Sequence, residues 1–117
     1  MSREQTAALV LSEERAVVRH DGEAGQHQSA VIHVQVINMG AARDTFAVEV
    51  RGLPADWSTR SVPTLTLRPG RGDVCEIAFM PPRPDEAAGE HPFTIRVTPA
   101  AAPDGYAEAA VVLAVEA

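Results

Sequence analysis

A single thiol, four imidazoles and two pairs of adjacent acids are the groups in this chain that could do chemistry. Nucleophilic or redox work by Cys75 needs an accessible thiolate. The cysteine is in phase with Ile77 and Phe79, which predicts a core position and a protonated, inert thiol. The histidines are His20, His27, His33 and His91. Metal binding favours a short-spaced pair or a Cys–His cluster. Only His20-Asp21, Glu23 and His27 gather such ligands, in a turn-rich stretch that reads more simply as solvated loop. The pairs Glu13-Glu14 and Asp85-Glu86 lie in polar segments. Glycosidic chemistry needs carboxylates facing each other across a pocket, one of them desolvated. Arg71-Gly72-Asp73 spells a tripeptide read by cell-surface integrins, but after Pro69-Gly70 it is ordinary turn chemistry. There is no Gly-x-Ser-x-Gly, phosphate loop or dinucleotide fingerprint. The expectation is a non-catalytic protein with no cofactor and no metal.

The elements that would position these groups are strands. Ile32, Val34 and Val36 alternate with Val31, His33 and Gln35. Phe46, Val48 and Val50 alternate with Ala47, Glu49 and Arg51. The same period of two runs through Cys75–Phe79, Phe93–Val97 and Val111–Val115, and it marks half-buried strands. Shorter segments at Leu9–Leu11, Val17–Arg19 and Val62–Leu67 read as edge strands. Glu13–Val18 is the nearest candidate for a helix, and its Val17-Val18-Arg19 end reads better as extended chain. Turn signals separate the strands: Asp21-Gly22, Asn38-Met39-Gly40, Gly52-Leu53-Pro54, Pro69-Gly70, Pro81-Pro82 and Pro103-Asp104-Gly105. The nine prolines fall mainly between strands or at their ends, where a missing amide donor does no harm. Seven to eight such strands in ~100 residues predict an all-β, immunoglobulin-like antiparallel sandwich of two sheets.

The alternation also assigns the core. It comprises Ile32, Val34, Val36, Phe46, Val48, Val50, Leu65, Leu67, Cys75, Ile77, Phe79, Phe93, Ile95, Val97, Val111, Leu113 and Val115. Aromatic residues are only 4% of the chain, so this core is aliphatic, with Trp57 as a plug over one end. With 117 residues there is material for one such domain, residues 1–117, with 1–6 and 116–117 as flexible ends.

All ten basic residues are arginine, and sixteen acids bring the net charge to -6. A field of that sign repels phosphate backbones, and no arginine-rich stretch carries interleaved aromatics, so nucleic acid is not an expected partner. No apolar run approaches the ~20 residues of a membrane-spanning helix, so membrane insertion is not expected either. One cysteine excludes an internal disulfide. The start, Met1-Ser2-Arg3-Glu4-Gln5, leads into no long apolar stretch. The expected location is the cytoplasm, or the cell surface if the module belongs to a longer chain.

Several short motifs follow one another in a recognisable series. They are Val36-Ile37-Asn38-Met39-Gly40, Asp44-Thr45-Phe46 and Gly52-Leu53-Pro54-Ala55-Asp56-Trp57. Leu67-Arg68-Pro69-Gly70, Pro81-Pro82 and Ala88-Gly89-Glu90-His91-Pro92-Phe93 continue it. Over roughly residues 30–98 the chain resembles the Ig-like modules found beside bacterial alpha-galactosidases and in large bacterial surface proteins. The resemblance implies a spacer, adhesion or accessory binding module and brings no catalytic residues. Physically, Asn38 and Gly40 permit left-handed backbone at a strand exit. Asp44 is expected to bond the amides of its own turn.

Val31, Val74, Ala78, Met80 and Val112 fall on the outward phase of their strands. If the strands of Val31 and Val74 are neighbours, their outer face carries an apolar stripe flanked by His33 and Glu76. An exposed apolar patch is a candidate docking surface. The alternative is scattered surface valines, which need no explanation. The expected partner-binding face is therefore Val31, His33, Val74, Glu76 and Ala78, with an open edge strand as a second means of contact. The expected partner is another protein or a neighbouring domain. The function read from this is a non-catalytic interaction, adaptor or spacer module of a bacterial assembly. The second reading is a carbohydrate-associated accessory domain, for which Trp57 and Tyr106 are the aromatics available to stack on a sugar.

Overall fold

A computed structural model describes residues 5–21, 26–28, 30–81 and 87–116, with only the backbone of 20, 21 and 26–28. The regular structure of the described residues is all strand, apart from two single 3-10 turns at Ala55–Trp57 and Pro103–Gly105. In order the strands are β1 (Ala7–Leu11), β2 (Arg15–Asp21), β3 (Gln26–Gln28), β4 (Ala30–Asn38) and β5 (Asp44–Arg51). Then come β6 (Ser58–Arg60), β7 (Thr64–Leu67), β8 (Gly72–Phe79), β9 (Gly89–Pro99) and β10 (Ala107–Glu116). They form two sheets, β1-β4-β8-β6 and β3-β2-β10-β9-β5-β7. Each pairing is antiparallel except β2 with β10. That parallel ladder, Val112↔Arg15 to Glu116↔Arg19, ties the start of the chain to its end.

The all-β sandwich follows from the period of two. Buried and exposed residues alternate along β4, β8 and β9, and the two inner faces enclose one aliphatic core. Of the residues assigned to it from the sequence, all are buried except Val50, which is half-buried and packs on its margin. Ala7, Ala16, Val18, Ala87 and Ala107 add to it. Each large side chain removed from water contributes roughly 1.5–3 kcal/mol. Phe79 and Phe93 meet at 5.2 Å in the interior.

The strand count exceeds the expected seven to eight through the short strands β3 and β6, and both margins of the sandwich change sheets. β1 belongs to the four-stranded sheet, and after Ser12 the chain crosses to become β2 of the six-stranded one. β6 leaves the four-stranded sheet at Ser61 and becomes β7 of the other. The continuous strand expected over Val62–Leu67 is therefore shorter, because Pro63 has no amide to donate and the ladder to β5 runs from Thr64.

Both crossings use the same device. Ser12 donates its amide to the His33 carbonyl (3.0 Å) and accepts the His33 amide on its hydroxyl (2.9 Å). Ser61 donates its amide to the Glu76 carbonyl (2.8 Å) and accepts the Glu76 amide on its hydroxyl (2.9 Å). In each case the serine oxygen takes the place of the main-chain carbonyl that would have continued the ladder. The backbone is then free to turn away with no amide left unpaired.

Neither Asn38 nor Gly40 uses the left-handed backbone that its residue type permits. Positive φ is confined to Gly52, Gly70 and Gly89 among the described residues. Asn38 acts through its amide instead. It is 1% exposed, donates to the carbonyls of Ala42 and Leu67 (2.9 Å each) and accepts the Gly40 amide (2.8 Å). It thereby joins the β4–β5 turn to the end of β7 in the opposite sheet. Asp44 accepts the Thr45 amide as expected, at 2.8 Å, and also that of Ala101 at 3.1 Å.

At the chain ends, Thr6 donates to Gly105 and accepts from Met39. Glu116 pairs with Arg19 in the ladder and through an ion pair of 3.2 Å. The turn expected at Asp21-Gly22 and the Pro82 side of Pro81-Pro82 lie outside the described residues.

Candidate functional site

The strands of Val31 and Val74 are neighbours in the four-stranded sheet, and the β4–β8 register fixes the layout of its outer face. Val31 stands opposite Ala78, His33 opposite Glu76, and Gln35 opposite Val74. β1 adds Val10 beside Gln35, and β6 adds Thr59 beside Ala78. The face thus consists of rows. Val10–Gln35–Val74 lies on one side of a central row, Ser12–His33–Glu76–Ser61, and Val31–Ala78–Thr59 lies on the other. In the central row His33 Nε2 and Glu76 Oε1 are 3.2 Å apart. Val10 is 54% exposed, Val74 44% and Val31 38%. A shallow depression of about 230 Å³ opens between β1 and β8, lined by Val10, Leu11, Ser12, His33, Gln35 and Val74.

Val10 is the member of this face that alternation did not single out. Within β1 the residues Leu9, Val10 and Leu11 are all apolar, so no period of two distinguishes the outward one. The register with Gln35 places it. Val112 shares the outward phase but belongs to the other sheet, where it is half-buried. Met80 follows the end of β8 and is 50% exposed.

The outer face of the six-stranded sheet has apolar outward residues of its own, among them Val17, Ala110 and Val112, but sets them among ion pairs. Arg15 pairs with Glu90 at 2.7 Å, Arg19 with Glu116 at 3.2 Å, and Arg51 with Glu49 at 3.7 Å. Arg96 pairs with Glu108 at 2.9 Å and lies 4.0 Å over the Tyr106 ring. Exposed pairs of this kind add little stability, but they keep a face hydrated. On the four-stranded sheet, by contrast, no arginine occupies an outward position of β1, β4, β6 or β8. Arg60 of β6 shares the inward phase of Ile77, and its guanidinium donates to the Val48 carbonyl of the other sheet. Glu76 is the one acid on an outward position of those strands.

The remaining candidates take structural places. Cys75 is fully buried, and its thiol donates to the Val62 carbonyl at 3.3 Å. Gly72 and Asp73 are in the ladder, opposite Ile37 and Val36, with the Asp73 carboxylate accepting the Val74 amide at 2.8 Å. That tripeptide is the start of a strand rather than a projecting loop. A Cβ on Gly72 would lie 3.0 Å from the Val36 carbonyl oxygen, which accounts for glycine there.

Trp57 is half-buried over one end of the core and meets His91 edge-on, centroids 4.9 Å apart. His91 Nε2 lies 2.6 Å from the Ala87 carbonyl. Trp57 is therefore the expected plug, and Tyr106 is the ring beneath Arg96. Glu13 and Glu14 are exposed between β1 and β2. The side chains of the His20–His27 cluster, and the pair Asp85-Glu86, lie outside the described residues. Among the described residues no group of three or more His, Cys, Asp or Glu could hold a metal ion. None of their helices is long and apolar enough to cross a membrane.

No family model and no curated protein matches the chain. Solved structures match its fold. A FixG-related protein from Vibrio parahaemolyticus is 13% identical over 96% of this chain and 97% of that one, with a TM-score of 0.64. The CupB2 chaperone of Pseudomonas aeruginosa is 13% identical with a TM-score of 0.58, over 90% of this chain and 54% of the chaperone, so the chain spans about half its length. The PapD-like domain 7 of human CEP192 is 13% identical over 100% of this chain and 90% of that one, with a TM-score of 0.55. At such identities the likeness is one of fold alone, and the chain is an Ig-like β-sandwich.

Proposed function

We propose that the protein is a non-catalytic interaction module that docks another protein on the outer face of its four-stranded sheet. The observation that carries this is the asymmetry between the two outer faces. One is laced with Arg–acid pairs, while the other offers Val10, Val31, Val74 and Ala78 around a single His33–Glu76 pair. A solvated sheet face has no need to leave valines bare along neighbouring strands, whereas a docking face needs an apolar centre with few charges to desolvate. Similar sandwiches occur in solved complexes, among them a chaperone–tip adhesion subunit pre-assembly complex from Csu pili of Acinetobacter baumannii. An adaptor or spacer in a larger bacterial assembly, in the manner of the alpha-galactosidase-associated Ig-like modules, is the finer form of this reading. Its working place is the cytoplasm, or the cell surface if a longer chain carries it.

The test is the double variant Val31→Asp/Val74→Asp. Both positions are exposed, so the variant is expected to keep the circular dichroism and melting behaviour of the parent. It is expected to lose at least tenfold in partner affinity, since two charges would have to be buried without counterparts. Undiminished binding by a folded double variant would place the contact elsewhere. For the carbohydrate reading, the two candidate rings are a half-buried plug and a ring stacked under Arg96, which supports the protein partner over the sugar.

A further inference from the structure

The docking face has an internal arrangement that bears on what can cover it. Its one acid and its one imidazole stand side by side at the centre, on adjacent strands, with the uncharged rows Val10–Gln35–Val74 and Val31–Ala78–Thr59 on either side. A two-fold axis lying in the plane of contact, parallel to the strands and midway between β4 and β8, would bring a second copy down with β4 over β8. Rows keep their level under that rotation. His33 then lies over Glu76 of the second copy and Glu76 over its His33. Val31 meets Ala78 of the second copy, and Val74 meets its Gln35. Neither like charges nor a bare charge against an apolar row results. Such face-to-face contact, with strand directions aligned, is also how β-sheets ordinarily pack at ~10 Å.

We infer that this face recognises a second copy of the same chain, forming an isologous, face-to-face dimer centred on the His33–Glu76 row. This inference rests on the docking reading above and names the partner of that surface. The size of the face sets the strength. Its rows, spread across four strands, cover roughly 20 by 15 Å, well short of the roughly 800 Å² per partner of a tight interface. The dimer is therefore weak and reversible, populated at concentrations on the order of 0.1–1 mM. Each protomer also carries a net charge of -6, whose mutual repulsion salt screens, so association strengthens as salt is added.

Symmetry makes the test sharp. In His33→Glu homodimers two acids face each other at each crossing, and in Glu76→Arg homodimers an arginine faces a histidine. Sedimentation equilibrium is expected to show each variant alone dimerising at least about tenfold more weakly than the parent. An equimolar mixture restores both crossings. At one, the two substituted side chains meet with opposite charge, and at the other the unaltered Glu76 of the first variant meets the unaltered His33 of the second. The mixture is therefore expected to form a heterodimer at parental strength. A parent that stays monomeric to about 1 mM, or a mixture no more associated than its components, would overturn the inference. A third variant, Val74→Asp, guards against local effects of the charge exchange and is expected to stay monomeric; a dimer that survives it would equally overturn the inference. The wider docking reading fails separately, if a folded Val31→Asp/Val74→Asp variant retains a heterologous partner at undiminished affinity.

Discussion

Asn38 shows how much a single buried polar side chain can determine. Its amide has three protein partners and is 1% exposed, so its removal strands two carbonyls and one N–H in a dry site. Asn38→Ala is expected to lower unfolding stability by about 2–4 kcal/mol, read as a fall in the urea midpoint at unchanged slope. Asn38→Asp is expected to be no better, because a carboxylate keeps only the Gly40 bond. The Asn-x-Gly spelling made a turn legible, but not its mechanism. Left-handed backbone and a side-chain brace are spelled alike, and they are told apart only by the carbonyl of Leu67, 29 positions along the chain.

The elements were legible where one face is wet and one dry. Alternation placed β4, β8, β9 and β10 and their inward residues, because each strand has a core side and a solvent side. Legibility failed at the margins, where β1, β6 and β7 are five, three and four residues long. Segments that short span at most about two and a half periods of the alternation, and whether they continue or change sheets depends on partners remote in sequence. Ser12 and Ser61 decide that, by offering a hydroxyl where the ladder would need a carbonyl. Ser12→Ala and Ser61→Ala are each expected to cost about 1 kcal/mol, through the loss of one amide acceptor at the margin of the sheet. The two lie on opposite margins, so the double variant should show the sum within about 0.5 kcal/mol. A double-mutant cycle by chemical denaturation checks both numbers.

At the scale of the whole molecule, the ladder between β2 and β10 makes the last strand indispensable. β10 lies between β2 and β9 in the middle of its sheet, and Leu113 and Val115 are core residues. A chain ending at Val111 is expected to be unfolded by circular dichroism, since it loses two core side chains and the bridge that holds β2. The core could be read from the sequence with little error. What could not be read was the contrast between the two outer faces. Val10 was hidden in an all-apolar strand, and Val112 shared a phase with Val31 while belonging to the other sheet. A period of two tells in from out, but not which sheet an outward residue serves.

That contrast supplies the most direct measurement, which is side-by-side affinity capture with two folded double variants that differ only in the face they charge. Val10→Asp/Val74→Asp alters the outer face of the four-stranded sheet. Ala110→Asp/Val112→Asp alters that of the six-stranded sheet. If docking uses the four-stranded sheet, a partner retained by the parent disappears with the first variant and stays with the second. Equal retention by both, or loss with the second alone, would contradict it.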